Sequence, residues 1–364
     1  MKITSHKTAL GGLALIGASA LVLSGCAAAP EDNDNAGGEK LDFLPCMVSD
    51  EGGFDDKSFN QLGFEGMVKA AEELGVEYKE VESASATDYA PNLTNLVDQG
   101  CDLIITVGFA LAEATSESAQ ANPEIEYVSI DDTVDTDFDG TTDADNIKPL
   151  VYDTAQAAFL AGYAAASYSK TGVVGTFGGQ AFPTVTIFMD GYAQGVAYYN
   201  EANDKNVKVL GWDGKDGVFT GGFAAGPEAQ NAAQGLIDQE VDVLLPVGGP
   251  IYQSAAAAIR ESGREIALIG VDADVFESDP TVADLLLTSI RKSMDLSVYE
   301  AVMSAGAGDF TNEPYLGTLD NEGVSIADFH DWADKVDSGL AAELDEIKAS
   351  IISGDIKVTS YLAK

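Results

Sequence analysis

From residue 41 onward, short apolar runs alternate with stretches of helical periodicity, and this alternation restricts the fold more than any other feature of the chain. The apolar runs lie at 41–48, 76–81, 101–107, 125–130, 173–177, 207–212, 241–247 and 266–271. Several are almost wholly apolar, as parallel strands covered on both faces should be. Helical patterns occupy 58–74, 89–98, 110–121, 154–169, 184–201, 226–239, 252–262 and 293–305. Strand–helix alternation of this kind implies right-handed βαβ units and a doubly wound parallel sheet. About 320 residues is long for one sheet and comfortable for two lobes. The halves echo each other: Val107-Gly108-Phe109 matches Val247-Gly248-Gly249, and Ile130-Asp131 matches Val271-Asp272. Two such lobes would set their strand-end loops face to face across a ligand cleft.

The stretch Ser49-Asp50-Glu51-Gly52-Gly53-Phe54-Asp55-Asp56-Lys57-Ser58-Phe59-Asn60-Gln61 leads from the first apolar run into the first helical pattern. It reads as a strand-to-helix loop, and in an open parallel sheet ligands bind at such loops. It joins an acid (Asp50), a flexible Gly52-Gly53, an aromatic (Phe59) and an amide (Asn60). Its plainer reading is a solvated loop with a helix cap.

The first 25 residues have the layout of a signal peptide. Lys2 and Lys7 precede a short apolar run at 9–23, too short for a comfortable membrane span. Leu23-Ser24-Gly25-Cys26 follows and reads as a lipoprotein processing site with Cys26 as the lipidated residue. Residues 26–40 are polar and Gly-containing, as a flexible tether would be. The mature body is then a soluble domain held at the outer face of a membrane by lipid. In that setting Cys46 and Cys101 could pair or remain buried thiols; spacing alone does not decide.

The chain carries 19 basic and 60 acidic residues, a net charge of −41. Removing residues 1–25 takes away two lysines and no acid, leaving −43. The acids are spread along the chain. They argue against nucleic acid and anionic lipid surfaces as partners and for a solvated acidic surface.

Motifs for covalent or phosphate chemistry are absent: there is no Gly-x-Ser-x-Gly and no Gly-Lys-Ser/Thr phosphate loop. The only histidine beyond the signal segment is His330, expected on the surface. No Cys/His cluster suits zinc. The run Asp135-Thr136-Asp137-Phe138-Asp139-Gly140 opens like a calcium loop, but position twelve is Asn146 where a bidentate Glu is needed, so an acidic surface turn is the better reading. No metal, cofactor or catalytic residue is expected.

The opening loop at 49–61, with Gly63 and Glu65-Gly66, is one of several segments that belong together. The others are Ile130-Asp131, 146–150 with 159–162, 188–195, Val247-Gly248-Gly249, 270–274, 288–292 and a closing 352–358. In this order they resemble the basic membrane protein (Bmp) family of bacterial lipoproteins, whose best-understood members are purine nucleoside receptors of ABC importers. The resemblance implies a type I periplasmic-binding-protein fold, α/β, with two doubly wound parallel-sheet lobes and three crossovers. One lobe would hold 41–152 plus 291–320, the other 153–290 plus 321–364. It implies a nucleoside in the cleft, with Asp272 and Lys292 resembling the ribose-binding pair. Asp50, Asn60 and Asp131 resemble the residues around the base, and Phe59 the residue stacked on it. Phe223 is a candidate for the second face, and Gly249 for close approach of backbone to ligand. The chain departs from the family pattern at Gly222 and Ala225 around Phe223, and at Pro250, which removes a backbone donor. Purine preference is therefore open.

These readings lead to a monomeric, non-enzymatic receptor partnered by an ABC permease and its ATPases. A sugar or other polyhydroxylated solute is the alternative ligand. A surface glycosidase, a nucleosidase or an adhesin is the alternative of another class.

Overall fold

The computed structural model describes residues 41–363, so the signal segment, Cys26 and the tether lie outside the described residues. Among the described residues, twelve strands divide between two six-stranded sheets. The first contains β1 (Pro45–Val48), β2 (Lys79–Val81), β3 (Leu103–Val107), β4 (Glu126–Ile130), β5 (Ile147–Tyr152) and β11 (Tyr315–Gly317), ordered β11-β5-β4-β3-β1-β2. The second contains β6 (Val173–Gly178), β7 (Lys208–Leu210), β8 (Val243–Val247), β9 (Ala267–Asp272), β10 (Leu286–Lys292) and β12 (Val324–Ile326), ordered β12-β10-β9-β8-β6-β7. Each lobe thus repeats one five-strand order and borrows an edge strand from late in the chain. Every pairing is parallel except β10 with β12 at an edge. The central strands are buried along their length, which is why they read as unbroken apolar runs.

Ten α-helices of the described residues connect and cover the strands: α1 (Phe59–Leu74), α2 (Tyr89–Asp98), α3 (Ala112–Ala121), α4 (Thr154–Tyr168), α5 (Pro183–Asn203), α6 (Pro227–Ile237), α7 (Ile251–Ser262), α8 (Val275–Ser278), α9 (Met294–Gly306) and α10 (Leu340–Ser353). The chain leaves the first sheet after β5, returns after β10 through α9, which packs on α1, and leaves again between β11 and β12. These are the three crossovers of a type I binding-protein fold. Helices α4 and α5 make the densest helix pair, because Gly162, Gly191 and Gly195 let the two backbones touch; a Cβ at any of them would strike backbone of the facing helix. None of the described helices is long and apolar enough to cross a membrane.

Several sequence expectations change here. Residues 41–44 are not strand, and α1 begins at Phe59 rather than Ser58. β5, β10, β11, β12 and α10 went unpredicted. β10 carries Thr288, Ser289, Arg291 and Lys292, so it lacks the apolar run of a buried strand. Its polar side chains are satisfied internally: Thr288 Oγ1 donates to Ala327 O at 2.6 Å, and Ser289 Oγ accepts from Val275 N at 3.1 Å. The open question of the cysteines resolves as a disulfide, Cys46–Cys101, with Cα atoms 6.0 Å apart; it ties β1 to the segment entering β3. His330 is not a free surface residue: its Nε2 lies 2.9 Å from Asp274 Oδ2, and its ring stacks on Phe276 at 4.0 Å.

Candidate ligand-binding site

The β1–α1 loop is organised by Asp56. Its carboxylate accepts from the backbone N–H of Ser58 (3.0 Å), Asn60 (2.8 Å) and Gln61 (3.1 Å), the otherwise unpaired donors at the start of α1. Ser58 makes no cap bond of its own. Its hydroxyl instead donates across the cleft to Val271 O at 3.1 Å, with Asp272 Oδ2 at 3.4 Å. Asn60 Nδ2 donates to both Asp50 Oδ1 (2.7 Å) and Asp56 Oδ2 (3.1 Å), so both amide hydrogens are engaged. Asp50 Oδ1 also accepts from Gly52 N at 3.0 Å. A Cβ on Gly52 would stand 2.7 Å from Asn60 Nδ2, which fixes glycine there. Burial pushes the Asp50 carboxyl up to about 6, against the opposing bonds from Gly52 and Asn60.

A second cluster joins the lobes. Lys292, at the end of β10, donates to Asp131 Oδ2 and stands 3.2 Å from Asp272 Oδ1. Asp131 directly follows β4 and Asp272 ends β9, and both adopt left-handed backbone, φ +64° and +67°. Aspartate tolerates that region better than most residues, and strain of this kind gathers at binding sites. All three side chains are more than nine-tenths buried. Burial alone would lower the Lys292 pKa, but the two carboxylates outweigh it and raise it. Burial raises Asp131, with Lys292 opposing. Two carboxylates thus share one ammonium in the cleft wall. Asp272 Oδ1 takes no hydrogen bond among the described residues, so its ion-pair contact leaves acceptor capacity.

Phe59 lies between the clusters. Lys292 Nζ is 5.0 Å from its ring centroid, and a Cβ on Gly108 would touch both Phe59 (3.3 Å) and Asp50 (3.1 Å). The Lys292 ammonium is also 5.0 Å from the Phe188 ring. Phe223 lies over Gly179 and Gly248, where a Cβ would stand about 2.5 Å from the ring. Gly249 has φ +49° and lines the same space.

All eight residues singled out from the sequence line one pocket between the lobes: Asp50, Phe59, Asn60, Asp131, Phe223, Gly249, Asp272 and Lys292. Asp131 sits on Lys292 with Asp272 and lines the same pocket as Asp50 and Asn60. Sequence reasoning missed Asp56, Phe109, Phe182 and Phe188, which line the pocket too. Gly108-Phe109 was visible as half of the internal echo, and Asp56 lay inside the opening motif; nothing in the sequence marked Phe182. Away from the pocket, Asp135, Asp137 and Asp143 come together, their carboxylates already engaged by neighbouring donors such as Gly140 N, Asp139 N and Thr136 Oγ1. Asn146 turns its amide inward to the carbonyls of Ala119, Asn122 and Ile125.

A family model described as "ABC transporter substrate-binding protein PnrA-like" matches residues 43–360. The ABC transporter nucleoside-binding protein BmpA of Lactococcus lactis is 28% identical, over 94% of this chain and 96% of its own. Basic membrane protein A of Borreliella burgdorferi is 29% identical over 85% and 86%, and a CD4+ T-cell-stimulating antigen of Listeria monocytogenes is 29% identical over 95% and 96%. Among solved structures, an ABC transporter solute-binding protein from Aeropyrum pernix superposes with a TM-score of 0.77 at 24% identity, covering 88% of this chain and 94% of that one. One from Conexibacter woesei gives 0.64 at 20% identity, covering 88% and 100%.

Proposed function

The chain belongs to the Bmp family of PnrA-like ABC transporter substrate-binding proteins, binding components rather than enzymes, and on that footing we propose that its ligand is a nucleoside held between the lobes. The observation that carries the reading is the pairing of two unlike polar clusters on either side of Phe59. The Asp272–Lys292–Asp131 cluster is the ribose end. Its two carboxylates around one ammonium, with Asp272 Oδ1 taking no hydrogen bond among the described residues, suit a ligand rich in hydroxyl donors, and a carboxylate can accept from two vicinal hydroxyls at once. Asp50 is the base end, its carboxylate facing ring N–H and exocyclic amino groups. Asn60, with both amide hydrogens engaged, positions Asp50 more than it reads the base. Phe59 offers the flat face on which a base stacks, a contact of about 1–3 kcal/mol per base. Phe223 and the Gly248-Gly249 turn close the base side.

The nucleoside named for the Lactococcus lactis relative supports this assignment, and a purine is the form proposed. A permease and its ATPases complete the importer. Lipid attachment at Cys26 and residence at the outer face of the membrane belong to the same reading; the Cys46–Cys101 disulfide supports an oxidising compartment. The boundaries 41–152 plus 291–320 and 153–290 plus 321–364 are proposed as the two moving bodies.

The test is a thermal-shift and calorimetry panel of purine and pyrimidine nucleosides, free bases, ribose and other sugars. A ligand bound only by the native state raises the melting temperature. Stabilisation by adenosine, guanosine or inosine, and by neither free base nor ribose, is the expected outcome. Stabilisation by sugars alone would overturn the ligand.

A further inference from the structure

Phe182, the residue before α5, lines the inner pocket and also two hollows outside it. The larger hollow offers ≈ 730 Å³ to the centre of a water molecule and runs past Asp132, Phe138 and Tyr361. The smaller offers ≈ 180 Å³ and runs past Glu51, Tyr89 and Gln180. By the same measure the inner pocket offers ≈ 60 Å³. The ring thus stands at the border between the inner pocket and both hollows.

Two neighbours hold the ring in place. Phe109 lies 4.9 Å away, centroid to centroid, at 34°, and Phe223 lies 5.9 Å away at 48°. Phe109 follows β3 in the first lobe, whereas Phe182 and Phe223 belong to loops of the second. The Phe109–Phe182 contact therefore exists only while the lobes are together. All three rings are half-buried. The contact is strong enough to delay opening and weak enough to allow it.

We infer that Phe182 and Phe109 form an aromatic gate between the lobes, which sets how fast the ligand enters and leaves. The inference rests on the proposed binding role and deepens it. A ring pair of this geometry changes a rate by roughly two- to tenfold.

The experiment measures association and release of a tritiated or fluorescent purine nucleoside with purified wild type, Phe182→Ala and Phe182→Trp. A gate lies on the path, so Phe182→Ala should speed both rates and Phe182→Trp should slow both; association and release moving the same way mark the gate, whatever shift in Kd the change to a pocket-lining ring adds. A change in release alone, with Kd moving in step, makes Phe182 an ordinary ligand contact and overturns the gate; so do unchanged rates. A ligand-free check is a double-mutant cycle on thermal stability with Phe109→Ala and Phe182→Ala. Coupling between the two supports the interlobe contact, and strict additivity overturns it. A wild type that takes up no purine nucleoside sinks the ligand assignment instead, and the thermal cycle then decides the gate by itself.

Discussion

Asp272 and Asp131 hold equivalent places in the two lobes, each at the carboxyl end of a strand and each in left-handed backbone. Their chemical situations differ, because Asp131 takes the Lys292 hydrogen bond and Asp272 Oδ1 does not. That asymmetry makes Asp272 the residue to test. Asp272→Asn keeps the shape and the left-handed backbone, which asparagine tolerates, and removes the charge. Nucleoside affinity measured by calorimetry should fall about tenfold or more, the worth of the charge assistance, with the far-UV circular dichroism unchanged. Unaltered affinity would remove Asp272 from the ribose end. At this scale the sequence was informative about strand-end acids, because their types and positions are local facts. It did not show that both amide hydrogens of Asn60 are engaged, since Asp56 and Asp50 meet the amide only after the loop folds.

Helices α4 and α5 explain two of the motifs that carried the resemblance. Gly162 lies in one helix and Gly191 and Gly195 in the other, each facing backbone of its partner. The pattern is structural, even though it stood beside ligand-binding motifs in the sequence. Gly195→Ala should destabilise the protein by about 1–3 kcal/mol, because the helices must separate to admit one methyl group. Denaturant unfolding checks this, and an unchanged midpoint would contradict the close approach. The periodicity of α4 and α5 was plain from the sequence. Their partnership was not, because 3.6-residue spacing identifies a buried face without naming what it meets. β10 stayed hidden for a related reason: its buried hydroxyls, Thr288 and Ser289, are satisfied by residues from two other segments, so no apolar run marks it.

The whole molecule combines a net charge of −41 with buried acids whose ionisation is suppressed. Burial raises Asp50 and Asp132 to about 6, and also raises Asp56 and Asp131. A carboxyl whose folded pKa lies above its unfolded value binds protons more readily in the native state. Its burial cost is fully present above about 6 and is relieved as pH falls toward the unfolded value near 3.9. Self-repulsion of the acidic surface weakens over the same range. The melting temperature should therefore rise from pH 7.5 to pH 5.5 at constant ionic strength. A steady fall over that interval would contradict the burial cost assigned to Asp50 and Asp132. The sequence by itself determined the class of fold and where its ligand loops lie, because strand–helix alternation and strand-end acids are written in local order. Tertiary structure alone decided which edge strands β11 and β12 join, that Lys292 bridges Asp131 and Asp272, and that Phe109 meets Phe182. Those contacts unite residues of different lobes or distant segments, and no local pattern records a partner that only chain closure brings near.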